Sequence, residues 1–257
     1  MADPGSSLRV AAVAPRSQIT QDDKVLQGAV GQVRRIEWKG RSVVEKQFAD
    51  VARHDVEVVA LRALADQDLP VPALLLVRAD SILMTLMPGD RVDSDRSERR
   101  VQRLRASGSW LRRLHSLPAP PGLPPAPDDA GIIARYRDAG GPPLPLVVPP
   151  ASPAVFCHGD WTAGNLLAMG SDITAVLDWE AAHLGDPLRE LARAAWGSSL
   201  DDERSADALM EGYGADPAAV RAWFPIHAAE LWLWFTEAGP PEYLERLTTR
   251  LKQWPWT

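Results

Sequence analysis

Two short apolar runs in the second half of the sequence each lead into polar residues that suit catalysis. The run AVFC precedes Asp160 and Asn165, and the run ITAVL precedes Asp178. Two strands joined by a tight turn at Gly170-Ser171 lie between Asn165 and Asp178, so the three polar side chains are expected to converge. A carboxylate that orients a hydroxyl and two oxygen ligands for Mg²⁺ form the set that phosphoryl transfer requires. The arrangement therefore predicts a phosphotransfer site.

The order and spacing of these residues match a known pattern. Asp-x-x-x-x-Asn is the spacing of the catalytic loop of protein kinases, and a later Asp at a strand end is their magnesium ligand. The form HGD with GN behind it resembles the aminoglycoside phosphotransferase family, whose relatives include choline, fructosamine and homoserine kinases. The resemblance covers nearly the whole chain, since similar segments occur in the family's order: LRALADQDLPVP, ILMTLMPG, LRRLHSLP and GDPLRELA.

This resemblance implies a small-molecule kinase that uses Mg²⁺ with ATP or GTP as the phosphoryl donor. It implies that Asp160 is the catalytic base and that Asn165 and Asp178 are the metal ligands. Many relatives carry a His-Pro pair after the catalytic Asp, whereas this chain continues with Trp161. His158 is expected to hold the loop by hydrogen bonds and to take no part in the chemistry.

The first half of the chain is expected to supply the nucleotide site. Lys46, in SVVEKQF, resembles the strand lysine with which kinases bind the α- and β-phosphates. Glu57, in the following helix, is the best match for the acidic partner that holds this ammonium in line. Without the downstream residues, a surface lysine and a solvated glutamate are the commoner interpretation of such a pair.

Two further features belong to the predicted nucleotide site. Gly28 and Gly31 lie where a hairpin loop would cover the phosphates, because glycine lets backbone amides approach phosphate oxygens closely. The pattern falls short of a full Gly-x-Gly-x-x-Gly, so a simple tight turn is the alternative. Met84 is expected beside the adenine, and Leu86 or its neighbours are expected to bind the adenine through the backbone.

The distribution of elements predicts an α+β, two-lobed, protein-kinase-like fold. A small β-rich N-terminal lobe with one helix would occupy residues 1–87, and a larger, mainly helical lobe residues 88–257. The hinge is expected at 85–89, and a proline-rich surface excursion at 118–153. Strands are predicted within 19–48 and at 74–77, 82–86, 154–157, 166–169 and 173–177, and helices at 51–65, 94–117, 131–140, 187–196, 202–213, 217–237 and 241–253.

Charge and composition exclude several functional classes. The 257 residues include 34 acidic and 28 basic side chains, and the net charge of −6 argues against binding nucleic acid or anionic lipid. Cys157 is the single cysteine and is expected to be a small buried hydrophobe in a reducing compartment. The first ten residues lack an apolar signal-peptide core, and proline or charge interrupts every apolar stretch, so a soluble, cytoplasmic protein is expected.

The acceptor is expected to bind in the helical lobe. Trp161, Glu230 and Trp234 are the candidate contacts, although core packing is the alternative for most of the ten tryptophans. Trp232 and Trp234 are two residues apart, so they should lie on different faces of a helix. A cationic antibiotic, either an aminoglycoside or a basic peptide, is the first expectation, followed by a macrolide and then by an amino sugar or choline-like metabolite. Resistance and metabolism, and a monomer and a homodimer, remain open alternatives.

Two rival interpretations remain. One is a pseudokinase, a binding module without turnover, although the presence of Lys46 and all three downstream residues argues against it. The other is a metal-dependent hydrolase built on His158, Asp160, Asp178 and His183, which leaves Lys46 unexplained. Asp186 and Glu190 are expected to hold the fold.

Overall fold

The N-terminal part of the chain forms one antiparallel sheet. A computed structural model describes residues 19–27, 31–95, 97–200 and 202–256. Five strands form the sheet, with bounds Ile19–Gln27, Gly31–Trp38, Arg41–Phe48, Leu74–Val77 and Ser81–Thr85 for β1 to β5. They pair in the order β1-β2-β3-β5-β4. Lys39 and Gly40, both at positive φ, make the two-residue turn between β2 and β3, a geometry that matches the twist of a hairpin.

Helix α1, Val51–Leu64, follows β3 directly. Asp50 caps it, its side chain accepting the Ala52 amide at 2.8 Å. The buried apolar residues of α1 belong to the main hydrophobic cluster, which continues into the helical lobe, while a smaller cluster forms around Ile36 and Leu83. The predicted boundary after residue 87 therefore divides two lobes that share one apolar core, and the boundary itself stays a prediction.

The second lobe combines helices with two small sheets. Its strands span Asp90–Arg91, Val155–Cys157, Leu166–Met169, Asp172–Val176 and His183–Gly185 for β6 to β10. Strands β7 and β10 form one sheet, and β6, β8 and β9 form the other. The helices span Arg99–His115, Asp129–Asp138, Pro187–Ser199, Glu203–Tyr213, Pro217–Arg221, Phe224–Glu237 and Pro241–Gln253 for α2 to α8.

The predicted fold class, a β-rich lobe followed by a mainly helical one, is confirmed. The prediction of one helix over 217–237 is wrong, because α6 and α7 are separate helices. Pro225 lies in the first turn of α7 and has no N–H for the carbonyl of Arg221, so the first helix cannot continue. The proline-rich excursion is more than a surface loop, since α3 lies within it and buries Tyr136 to 2% exposure.

The part of the chain that the structure describes contains no helix with both the length and the apolar character that a bilayer crossing requires.

Candidate active site

The loop that carries Asp160 begins where β7 ends. Gly159 has a φ of +86°, and a Cβ built on it would lie 2.0 Å from the carbonyl oxygen of Ala181. Glycine is therefore required both by the backbone conformation and by the close approach of the chain after β9. This approach brings the end of β7 beside the segment that carries Asp178.

Glu190 on α4 anchors the loop from behind. It accepts the backbone amides of His158 at 3.0 Å and Gly159 at 2.5 Å, and it lies 2.8 Å from His115 Nε2. Burial alone would raise its pKa, but the hydrogen bond and charge from His115 and the Gly159 amide outweigh burial and lower the pKa to about 2. Asp186 caps α4 through the Leu188 and Arg189 amides. The prediction that Asp186 and Glu190 hold the fold is confirmed.

His158 is fully buried, and both of its ring nitrogens are occupied. Nδ1 accepts the Asp160 amide at 3.1 Å, so Nε2 carries the proton and donates to the Leu177 carbonyl at 2.9 Å. The predicted role of His158 in holding the loop is confirmed. Because neither nitrogen is available to a metal, the hydrolase interpretation loses one of its ligands. Cys157 is likewise buried, as expected.

Asp160 and Asn165 lie side by side. Asn165 Nδ2 donates to the Asp160 carbonyl oxygen at 2.9 Å and to Asp160 Oδ2 at 3.0 Å. The Leu177 amide donates to the Asn165 carbonyl at 2.8 Å, which places Asn165 next to the strand end that carries Asp178. Both amide hydrogens of the side chain thus face Asp160, and Asn165 Oδ1 is the amide atom that suits a cation.

Lys46 lies among three carboxylates. Its Nζ is 2.6 Å from Glu57 Oε2, 2.6 Å from Asp178 Oδ1 and 2.9 Å from Glu180 Oε2. Burial opposes the charge of Lys46, but the three carboxylates outweigh it and raise the pKa of the ammonium. Burial is also the largest cause for Glu57 and, with repulsion from Asp178 and Glu180, raises its pKa to about 6 against the attraction of Lys46.

Asp178 has a φ of +66°, a conformation that is uncommon for residues other than glycine. Its side chain is 41% exposed, whereas the Glu57 side chain is 1% exposed. Asp178, Glu57 and Glu180 offer oxygens within 4.8 Å of one another, a donor set that suits a hard cation. Since the Lys46 ammonium lies among them, the exposed Asp178 and the neighbouring Asn165 are the residues that fit Mg²⁺.

Three further residues of the predicted nucleotide site, Gly31, Met84 and Leu86, lie on or beside the N-terminal sheet. Gly28 lies outside the described residues, and Gly31 begins β2 opposite Phe48. Met84 is 7% exposed and belongs to the main hydrophobic cluster, while Leu86, just beyond β5, is 43% exposed. Their roles toward phosphate and adenine stay predictions.

The three candidate acceptor contacts occupy different environments. Trp161 is 1% exposed and packs edge-on against His158, so its ring shapes the loop from inside and forms no exposed wall. Glu230 on α7 is partly exposed, and Trp234, one turn further along, is 48% exposed. Trp232 is buried against Tyr136, which confirms that Trp232 and Trp234 lie on different faces.

Two charged residues of the site did not emerge from the sequence. Glu180 joins the Lys46 cluster and also pairs with Arg53 of α1 at 2.9 Å. Arg193 of α4 lies 3.2 Å from Asp160 Oδ1 and 3.2 Å from Glu230 Oε2. The sequence does offer a signal for Glu180, because it is a second acidic residue two positions after Asp178. It offers none for Arg193, because the position of Arg193 in the site depends on how α4 packs against α7.

The segment that carries the site is similar to a known protein family. Residues 134–223, which include Asp160, Asn165 and Asp178, match the model of the phosphotransferase enzyme family. The family resemblance predicted from the sequence, and with it the enzyme class, is confirmed. A comparison with curated protein sequences found no match.

Solved structures of phosphotransferases share the fold of nearly the whole chain. The macrolide 2'-phosphotransferase MphH from Brachybacterium faecium is 22% identical, with 92% of this chain and 93% of that chain covered and a TM-score of 0.63. The aminoglycoside phosphotransferase APH(4)-Ia is 15% identical over 92% and 93%, with a TM-score of 0.66. A choline/ethanolamine kinase family protein from Mesorhizobium loti is 19% identical over 90% and 86%, with a TM-score of 0.66.

Proposed function

We propose that this chain is an O-phosphotransferase that moves the γ-phosphoryl group of ATP or GTP onto a hydroxyl of a small molecule. The observation that carries the proposal is the meeting of charged groups from distant parts of the chain. Lys46 Nζ lies 2.6 Å from Asp178 Oδ1 across 132 residues of sequence. Asn165, bonded to Asp160, is also linked to the residue before Asp178. One compact site thus combines a cation, a base and oxygen ligands.

Each residue has a defined task in this proposal. Lys46, aligned by Glu57, binds the phosphates of the donor, and Asp178 with Asn165 would hold Mg²⁺. The bound ion would offset the negative charge of the phosphates. Asp160 orients the acceptor hydroxyl and accepts its proton while the acceptor oxygen forms a bond to the γ-phosphorus. The bond from that phosphorus to the β-phosphate oxygen breaks, and a nucleoside diphosphate leaves without a covalent phosphoenzyme.

An antibiotic hydroxyl is the acceptor that we favour within this function. Support comes from the fold, which is shared by proteins named as macrolide and aminoglycoside phosphotransferases. The sequence-based order, with a cationic antibiotic first and a macrolide second, stays a prediction, as do a cytoplasmic setting and a role in resistance. A choline-like metabolite is the alternative, since a choline/ethanolamine kinase family protein has the same fold.

The reaction can be tested before the acceptor is identified. Purified protein is incubated with ATP or GTP, Mg²⁺ and a pooled panel of aminoglycosides, peptide antibiotics, macrolides and amine metabolites. Mass spectrometry should find the gain of one phosphoryl group on an acceptor. Asp160→Asn should lower turnover by about 10²- to 10⁴-fold, the usual contribution of a positioned base, while nucleotide binding persists.

Asp68→Asn is the matched control, because the Asp68 side chain is 81% exposed and lies outside the site. It should keep full turnover. Near-normal turnover of Asp160→Asn at saturating acceptor would remove Asp160 from the role of base. Nucleotide binding without any product would instead favour the pseudokinase, and a failure to bind either nucleotide would contradict the proposal.

A further inference from the structure

Arg193 bridges the proposed base and the acceptor side of the site. Its Nη2 lies 3.2 Å from Asp160 Oδ1 and its Nη1 lies 3.2 Å from Glu230 Oε2. The side chains of all three residues are between one quarter and two fifths exposed, so an acceptor can reach them. One guanidinium therefore binds both Asp160 and Glu230.

A second guanidinium reinforces this charge balance. Arg189, one turn earlier on α4, binds Asp129 at 2.7 Å and lies 3.6 Å from Glu230 Oε2. Burial would raise the pKa of Glu230, but His227 and the two arginines outweigh burial and lower it to about 2. Glu230 is therefore ionised near neutral pH, and its negative charge is already neutralised by groups of the protein.

These contacts limit the charge that the acceptor can carry next to its reacting hydroxyl. A hydroxyl oriented by Asp160 must come within hydrogen-bond distance of that carboxylate, which also binds Arg193. An ammonium group close to this hydroxyl would face a like charge, and to reach Asp160 or Glu230 it would have to displace the guanidinium from two charge-assisted hydrogen bonds. An uncharged group meets neither obstacle.

An exposed indole lies beyond Glu230 on the same helix. Trp234 follows Glu230 by four residues on α7, so both lie on the same face of the helix. Trp234 is 48% exposed and its ring contacts Phe235 at 4.8 Å. An acceptor with its hydroxyl at Asp160 can extend along α7 and place a flat apolar or sugar face on this indole.

We propose that Arg193 is a specificity-determining residue that fills the acidic acceptor side with an internal cation, so that the reacting hydroxyl belongs to an uncharged part of the acceptor. The inference rests on the proposed function for the role of Asp160. It changes the expectation of a cationic acceptor: amines are excluded next to the reacting hydroxyl. The neighbouring part of the acceptor packs on Trp234.

The test measures binding of a polyamine probe, kanamycin, by isothermal titration calorimetry without nucleotide. Wild-type protein should bind it weakly, and replacing Glu230 by Gln should not weaken that binding further. Arg193→Gln should bind kanamycin at least about tenfold more tightly, because Asp160 and Glu230 lose their internal cation. The double variant Arg193→Gln, Glu230→Gln should lose this gain.

Arg221→Gln is the matched control, since it removes the same charge and releases the exposed carboxylate of Asp207 outside the site. It should leave kanamycin affinity at the wild-type value. An equal gain in this control, no gain in Arg193→Gln, or a gain that survives in the double variant would overturn the inference. If circular dichroism shows that Arg193→Gln does not fold, the wild type decides: kanamycin binding that weakens in Glu230→Gln refutes the inference, and binding that does not change supports it.

Because no nucleotide or turnover is involved, this result is separate from the test of the reaction. Product formation that depends on Asp160, together with tight binding of kanamycin at Glu230 in the wild type, would keep the proposed function and reject the inference. Exclusion of kanamycin without any phosphoryl transfer would confirm the charge balance at Arg193 but reject the proposed function, and with it the role of Arg193 beside a reacting hydroxyl.

Discussion

At the scale of single residues, the most demanding feature is the burial of Lys46. A buried ammonium is costly unless it is paired, and Lys46 is 6% exposed. Glu57, Asp178 and Glu180 supply three negative charges to one positive charge, so the cluster as a whole remains acidic. Such a cluster keeps Lys46 charged and fixed in place before any nucleotide arrives.

Glu57→Gln tests this arrangement. The amide keeps a hydrogen-bond acceptor but loses the charge that aligns the ammonium, so we expect kcat/KM for the nucleotide to fall by about 10²-fold. Stability in chemical denaturation at neutral pH should not fall, because the raised pKa of Glu57 means that the folded state already disfavours its charged form. In the wild type, kcat/KM should fall as pH drops through about 6, where Glu57 becomes protonated, and this acid limb should be absent from the variant.

Glu45→Gln is the control for that prediction. Glu45 is buried in the same strand, one residue before Lys46, and binds Arg34 at 2.6 Å and Arg78 at 2.6 Å. Its loss should lower stability, because Arg34 and Arg78 lose their buried partner, and should leave nucleotide kinetics unchanged. Equal kinetic losses in both variants would mean that strand stability, and not the alignment of Lys46, sets the rate.

The sequence predicted much of the site because its residues come in local patterns. Asp160 and Asn165 are five residues apart, and Asp178 follows the hairpin of β8 and β9. The positions of the strand ends, which can be predicted from the sequence, are therefore enough to bring the three residues together. Arg193 could not be found in this way. Its contacts to Asp160 and Glu230 span 33 and 37 residues and depend on how α4 lies against β7 and α7.

At the scale of elements, the catalytic loop is attached to helix α4 through one buried carboxylate. Glu190 accepts both amides that follow β7 and contacts His115 of α2. A loop cannot satisfy these amides within itself, and leaving them buried without acceptors would be costly. The position of Asp160 is thereby fixed by the helix behind it.

Glu190→Gln should remove part of the acid sensitivity of the fold. The folded state lowers the pKa of Glu190 from 4.5 to about 2, so its contribution is complete above about pH 4.5 and is lost as pH falls toward 2. The shift corresponds to at most about 3 kcal/mol. Urea unfolding at several pH values should show that the difference between wild type and variant shrinks across this window.

Glu211→Gln controls for a general effect of charge, because the Glu211 side chain is 66% exposed on the adjacent helix α5. It should leave the pH dependence of stability unchanged. A difference between wild type and Glu190→Gln that stays constant from pH 7 to 2.5 would contradict the assignment of this titration to Glu190.

Sequence patterns predicted long elements well and short ones poorly. Helix α8 begins and ends where apolar residues at helical spacing begin and end in the sequence. Strands β6 and β10 have only two and three residues, which is too short to show a periodic pattern. Strand β10 exists because His183–Gly185 pairs with Val155–Cys157, a contact between distant segments. The apolar pattern predicts one helix in place of α6 and α7 because apolar residues continue through the break before Pro225.

At the scale of the whole molecule, the two lobes meet through charges as well as through the shared core. Lys46 binds Asp178, and Arg53 of α1 binds Glu180, so β3 and α1 of the first lobe contact the segment after β9. A nucleotide and its metal in this position would touch both lobes at once. Binding should therefore stabilise the entire fold and not one lobe alone.

Asp178→Asn tests this coupling by thermal unfolding. With Mg²⁺ and ATP at about 100 times the dissociation constant, the wild type should gain about 2.7 kcal/mol, which raises Tm by roughly 5–10 °C in one cooperative transition. The variant should lose most of the part of this shift that depends on Mg²⁺, because Asn lacks the charge that a hard cation prefers. Chelation by EDTA should reduce the wild type to the level of the variant.

Asp172→Asn is the control, since Asp172 is exposed at the start of the same strand, β9, and lies away from Lys46. It should keep the full Mg²⁺-dependent shift. Two separate transitions, of which nucleotide moves one, would mean that the lobes unfold independently and that Lys46 and Asp178 do not couple them. A Mg²⁺-dependent shift that persists in Asp178→Asn would assign the metal to other oxygens of the cluster, with Glu180 the next residue to replace.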